Sequence, residues 1–217
     1  MSACRTRCQC EGIERLFGKQ EAAHKLRAYL RHGPARTTRL LLDALRAEGV
    51  DGATLLDIGG GVGVIPLELL SAGLQRATDV DASGEYITVA HAEARRRGYD
   101  GQITYLHGNF VERAPEIEPA DIVTLDRVIC CYHDMPALVG ASAAKARRLY
   151  GLVYPRDDWW TRSFSAIENA TFRMRRHPYR SFVHPAALVD ATVRRAGLER
   201  RSLRRDAFWQ VVVYARP

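Results

Sequence analysis

Two periodicities alternate along the chain. Segments of strand length fall at residues 54–58, 75–80, 103–106, 120–125 and 149–154, the first of them a short, nearly continuous apolar run. Between them lie stretches whose apolar residues recur every three or four positions, which predict helices over 65–72, 84–97 and 136–147. Earlier helices are expected over 12–32, where Ile13, Leu16, Phe17, Leu26, Tyr29 and Leu30 repeat until Gly33-Pro34, and over 38–48. The run at 54–58 has little polar alternation and stops at a cluster of glycines, the pattern of a central strand buried on both faces. Strand, helix, strand in this order predicts a doubly wound α/β fold: parallel strands need crossovers, and the crossover helices cover both faces of the sheet. Residues 184–196 read as one more amphipathic helix, and 198–203 and 208–214 as an antiparallel hairpin at one sheet edge. The expected organisation is a helical extension over 1–50 and a domain over 51–217, with an insertion at 155–183.

Composition narrows the class. A chain of 217 residues suits one embellished domain, and 47% apolar with 26% charged residues excludes a fibre or a disordered tail. The net charge of +7 is unevenly placed: residues 1–144 hold 16 Lys and Arg against 19 Asp and Glu, whereas residues 145–217 hold 16 against 6. The positive field therefore belongs to the C-terminal third and suits a negatively charged partner there. No stretch approaches the ~18 apolar residues of a membrane span and no apolar run follows the charged N-terminus, so a cytoplasmic location is expected. Five cysteines in a chain that needs no staples argue against a disulfide framework. Cys4, Cys8 and Cys10 could bind a soft metal, but their spacing matches no zinc motif and no metal is expected. Cys130 and Cys131 read as small buried apolar residues.

The glycine cluster is Asp57-Ile58-Gly59-Gly60-Gly61-Val62-Gly63. Ligands of open α/β sheets bind at the carboxyl ends of the strands, and the first strand-to-helix turn is their usual contact. Four glycines in five positions remove the side chains that would hold a ligand off the backbone. The dinucleotide register would need glycine at 64 or 66, where the chain has Val64 and Pro66; a triphosphate loop would need Lys and Ser or Thr. Asp57 ahead of the loop would repel phosphate, so the ligand should carry positive charge.

With Asp57, Gly59, Gly61 and Gly63 in this spacing, the chain resembles the class I S-adenosylmethionine (SAM)-dependent methyltransferases over roughly residues 35–155. The resemblance implies a seven-stranded sheet of order 3-2-1-4-5-7-6 with strand 7 antiparallel, SAM as cofactor, and a small-molecule substrate. It places Asp57, Gly59, Gly60, Gly61 and Gly63 against the cofactor, and Asp81, 24 residues after Asp57, on the ribose hydroxyls, with Asp79 in reserve. Ala82 and Ser83 would line the adenine side. Asn109 stands where many members have Asp; an amide still accepts from the adenine amino group, and Phe110 would pack on its face. Asp126 and Arg127, after the fourth strand, would border the same pocket.

Methyl transfer mainly requires alignment of a nucleophile and exclusion of water. His133 has the intrinsic pKa of a general base that Asp134 or Tyr132 would orient, although His133 and Asp134 equally fit the start of a helix beginning at Pro136. The insertion carries Trp160, Phe164, Ile167 and Met174 near one helical face with Arg162, Arg173, Arg175 and Arg176. It reads as a lid whose Trp160, Phe164 and Arg176, with Thr37, would bind an apolar or aromatic acceptor that could carry an acidic group, the region around Thr37, Thr38 and the first helix closing the pocket. Core packing is the plain alternative, and membrane-surface contact through 157–176 a third. General similarity to quinone, porphyrin and secondary-metabolite methyltransferases also suggests a hydrophobic acceptor. Nucleic acid is disfavoured as substrate, because 126–129 reads Asp-Arg-Val-Ile where base methylation usually shows Asp or Asn-Pro-Pro-Tyr or Phe. A SAM-binding module without catalysis is the remaining alternative.

Overall fold

The computed structural model describes residues 12–217. Cys4, Cys8 and Cys10 lie outside the described residues. Seven strands form one sheet: β1 (Thr54–Ile58), β2 (Arg76–Asp81), β3 (Ile103–His107), β4 (Ala120–Asp126), β5 (Ala146–Pro155), β6 (Glu199–Arg205) and β7 (Trp209–Ala215). Their order is β3-β2-β1-β4-β5-β7-β6, with β7 antiparallel to both neighbours and all other pairs parallel. This is the topology that the resemblance to class I methyltransferases implied. Around the sheet lie α1 (Lys19–His32), α2 (Arg36–Ala47), α3 (Val64–Leu70), α4 (Gly84–Arg96), the short α5 (Phe110–Arg113), α6 (Met135–Ala144), α7 (Trp159–Met174) and α8 (Ala186–Arg195); residues 12–16 are also helical.

The two faces of the sheet follow from strand alternation. Leu55 points into one core with Leu41, Leu42 and Leu45 of α2 and Leu67 and Leu69 of α3, and β5 and β7 add Leu149, Val211 and Val213. Leu56 and Ile58 point into the other, with Leu138 and Val139 of α6 and Val189 and Val193 of α8. Each such fully buried side chain contributes about 1.5–3 kcal/mol. Leu41, Leu42 and Leu45 are completely buried against the sheet, so α2 packs as part of the layer that covers β5 and β7.

Two expectations shift. The helix expected over 136–147 ends at Ala144, and β5 begins at Ala146, three residues earlier than the apolar run suggests. Ala146 pairs with Ala120, and Lys145 makes the turn with its Nζ donating to the Ile117 carbonyl at 2.5 Å. Sheet pairing outweighs the helix propensity of an alanine-rich tail. The second shift concerns α7. Its buried side chains are Thr161 and Ser165, while the face expected over a pocket turns outward: Ile167 and Met174 point to solvent, and Trp160 and Phe164 remain partly exposed beside Phe208. Polar bonding fixes that orientation: Ser165 pairs with the Ser181 hydroxyl at 2.8 Å, and Asn169 donates to the Ser181 carbonyl at 2.7 Å. Among the described residues, no helix is long and apolar enough to cross a membrane.

Candidate functional site

The carboxyl ends of β1, β2 and β4 open into a cavity of about 890 Å³, inside the usual range for small-molecule sites. Its floor is the loop after β1. Gly59, Gly61 and Gly63 all have φ between 60 and 79°, the left-handed region that other residues enter at a cost. Gly60 is needed for a different reason: a Cβ there would run into the Asp79 carboxylate. A Cβ on Gly61 would meet no protein atom within 4 Å, so the backbone there faces open cavity.

Carboxylates surround this loop. Asp57 is fully buried, one oxygen accepting from the Thr124 hydroxyl at 2.6 Å and the other without a hydrogen-bond partner among the described residues. Burial, opposed by the Thr124 bond and reinforced by the negative Asp126 and Asp81, pushes its carboxyl up to about 7. Asp79 is completely buried beneath Gly60, and burial beside Asp57 raises it well above the ordinary range. Asp81 accepts from the Gly61 and Ser83 backbone N–H groups at 2.9 and 2.7 Å; burial raises its carboxyl against these two bonds. Asp126 accepts from the Thr38 hydroxyl at 2.5 Å and from Arg127 Nε at 3.0 Å. Arg127 holds this position with φ of 62°, a strained conformation for an arginine at the cavity wall, and its guanidinium also donates to Thr38 Oγ1.

The cavity gathers Asp57, Gly59, Gly60, Gly61, Asp81, Ala82, Asn109, Phe110, Asp126, Arg127 and Tyr132 along its wall. Asn109 also caps α5, accepting from Val111 N–H at 3.1 Å, and its amide lies 3.4 Å from the Tyr132 hydroxyl. Other expected residues lie elsewhere. Gly63 caps α3 in the left-handed conformation, and Ser83 caps α4 while donating to the Phe17 carbonyl. Thr37 is buried off the wall; its neighbour Thr38 takes the place at the cavity. His133 and Asp134 do not line the cavity: the His133 ring lies against Tyr132 at 5.3 Å, and Asp134 is the N-cap of α6, accepting from Ala137 N–H at 3.0 Å. Asp134→Ala should therefore lower stability by about 1 kcal/mol, a melting shift of roughly 2–4 °C, and leave ligand affinity unchanged in a thermal-shift titration.

Trp160 and Phe164 are also off the wall, packing edge-on against Phe208 at the tip of the β6–β7 hairpin, and Arg176 is exposed away from it. The insertion reaches the cavity through Glu168 and Tyr179 instead. Tyr179 meets Phe17 edge-on at 6.1 Å, and Phe17 packs on Tyr86, so the N-terminal segment and the insertion close over the glycine loop together. Cys130 and Cys131 line the same space; Cys130 is buried, and the half-buried Cys131 lies 3.2 Å from the Tyr179 hydroxyl. Tyr179 carried no sequence signal beyond lying in a long aromatic insertion.

Residues 56–147 match the family model of a methyltransferase domain. A ribosomal protein L11 methyltransferase of Aliivibrio salmonicida is 25% identical over 109 residues, which cover 50% of this chain and 36% of that protein, so the matched region spans about a third of its length. Among solved structures, magnesium protoporphyrin IX methyltransferase from Synechocystis PCC 6803 with bound SAM superposes with a TM-score of 0.64 at 17% identity, covering 83% of this chain and 78% of that one. An O-methyltransferase family protein from Burkholderia thailandensis gives 0.64 at 20% identity, covering 92% and 63%.

Proposed function

We infer that the chain, a class I SAM-dependent methyltransferase by its fold and by the domain at residues 56–147, methylates a small, largely apolar acceptor that carries an acidic group. The observation that carries the cofactor half is the ring of carboxylates, Asp57 and Asp81 buried and Asp126 partly so, about a glycine loop. Asp81 and Asp126 raise the energy of an ionised Asp57, and a cationic ligand relieves that cost. The donor set suits SAM: Asp81 would accept from the ribose hydroxyls, Asp57 and Asp126 would attract the ammonium, and Ala82, Asn109 and Phe110 would border the adenine. Arg127 and Thr38 fix the Asp126 carboxylate. When bound, SAM supplies a methyl group on a sulfonium, a leaving group that needs no acid. The chain's own work is then to orient the acceptor and to exclude water, which Phe17 and Tyr179 do by closing over the loop.

A pH dependence follows from Asp57. Its carboxyl stands at about 7, and a bound cation lowers it, so binding releases a proton below that pH. SAM affinity should rise between pH 6 and pH 8 and level off above. The same raised carboxyl works against the ligand-free fold: the folded state holds an extra proton between the ordinary aspartate range and about pH 7, so this contribution to stability falls as pH rises through that window. Thermal shifts with and without SAM at each pH read both effects; an affinity that falls from pH 6 to 8 would count against the role of charge.

For the acceptor, support comes from the rest of the wall. Ile13, Leu16, Phe17, Tyr29 and Tyr179 offer apolar surface, while Lys25, Arg36 and Arg39 of α1 and α2 put positive charge on it. The Synechocystis enzyme is named for magnesium protoporphyrin IX, which agrees with a hydrophobic acceptor. Of residues 132–134, Tyr132 alone stands at the cavity, and it is the one assigned to acceptor contact. The test is a panel of aromatic carboxylic acids against their neutral esters. Acids should be the better substrates, and Arg36→Glu with Arg39→Glu should raise KM for the acids by about tenfold while leaving kcat and the esters alone. Equal turnover of acids and esters by the unaltered enzyme would remove the acidic group from the proposal.

A further inference from the structure

The helix α7 is amphipathic in the inverse sense. Its protein-facing side is polar, with Thr161, Ser165 and Asn169 held by hydrogen bonds or burial, and its solvent face is apolar. Trp159, Ile167 and Met174 are 79%, 68% and 81% exposed, and Phe164 and Trp160 are 54% and 39% exposed. Steps of three, four, five and seven residues put all five on one broad stripe. Most of the exposed large apolar side chains among the described residues lie on this one element; Leu30 and Leu188 are the others. A contiguous patch of this kind marks an interaction surface.

Charge identifies the partner. Arg162, Arg173, Arg175 and Arg176 are all exposed along and just beyond the helix. The single acid of α7, Glu168, faces the cavity, and the acids just before it are occupied: Asp158 pairs with Arg156 at 2.7 Å and Asp157 accepts from Ala186 N–H. A second copy of the chain would bring the same arginines face to face, which like-charge repulsion opposes. Sixteen residues make a rod of about 24 Å, too short to span a bilayer but well shaped to lie on one, with tryptophan and phenylalanine at the headgroup level. We propose that the solvent face of α7 is a docking surface for anionic lipid membranes, with Trp159, Phe164, Ile167 and Met174 entering the acyl boundary and the arginines pairing with headgroup phosphates. This surface does not depend on the methyl acceptor or on turnover.

Cosedimentation of the full chain with vesicles tests it directly. Phosphatidylcholine vesicles containing about one third phosphatidylglycerol should carry the protein down and, when brominated, quench its tryptophan fluorescence; pure phosphatidylcholine should retain little. Trp159→Ser, Ile167→Ser and Met174→Ser together should cut the partition by on the order of tenfold or more, and Arg173→Glu with Arg175→Glu should do the same, while the melting temperature stays near that of the unaltered chain. Protein left in the supernatant with both vesicle types at low salt would overturn the proposal. So would a dimer in sedimentation velocity that the triple serine variant converts to monomer, because the patch would then belong to a second copy.

Discussion

Asp81→Ala should weaken SAM binding by on the order of 100-fold or more. A carboxylate accepting from both ribose hydroxyls makes two charge-assisted hydrogen bonds at about 1.5–3 kcal/mol each, and alanine removes both. It also frees the Gly61 and Ser83 N–H groups, which Asp81 now holds at 2.9 and 2.7 Å, so the glycine loop loses its tie to β2. Asp81→Asn separates the two effects: the amide oxygen can keep one backbone bond while the charge is lost, so affinity should fall while the melting temperature moves less. With one negative neighbour gone, Asp57 should titrate lower, and the rise of affinity with pH should shift to lower pH. Unchanged affinity in Asp81→Ala, measured by calorimetry, would defeat the ribose assignment.

The second large effect is expected at Gly60. A methyl group added to this glycine would collide with the completely buried Asp79 carboxylate. Gly60→Ala should destabilise the fold by about 1–3 kcal/mol, visible as a melting temperature lower by roughly 2–4 °C for each kcal/mol, and should push the loop out of line for the cofactor. Asp79→Ala, which shortens the obstructing side chain, should return much of that stability to the Gly60→Ala background; the two changes are in contact and will not add. If Gly60→Ala melts like the unaltered protein and the double variant gains nothing, the close packing of loop and carboxylate is not what requires glycine there.

The sheet and the glycine-floored end of the cavity were readable because both are local patterns. Apolar runs of strand length, helical spacing between them, and the glycines after Ile58 are consecutive in the chain, and the fold only has to bring the ends of β1, β2 and β4 to one edge. Asp57, Asp81 and Asp126 follow from being the last acids of their strands. What failed to show is the set of contacts made between distant segments. Of the expected pair Thr37 and Thr38, only Thr38 reaches the cavity and bonds Asp126, a choice made by the rotation of a helix that Leu41, Leu42 and Leu45 anchor in the core. The apolar stripe of α7 was visible, but its direction was not, since the hydrogen bonds of Ser165 and Asn169 to Ser181 turn it outward. His133 and Asp134 carried the residue types of an acid–base pair, and the pull of a helix N-cap on Asp134 leaves both beside the cavity instead of in it.

The choice of cofactor rests on an acid-rimmed, glycine-floored cavity, which by its charge should select a cation without phosphate. Isothermal titration of the purified chain at pH 8 with SAM and, separately, with NADH tests that selection most directly. One-to-one heat from SAM and none from NADH is the expected result. Binding of NADH together with silence from SAM would contradict it.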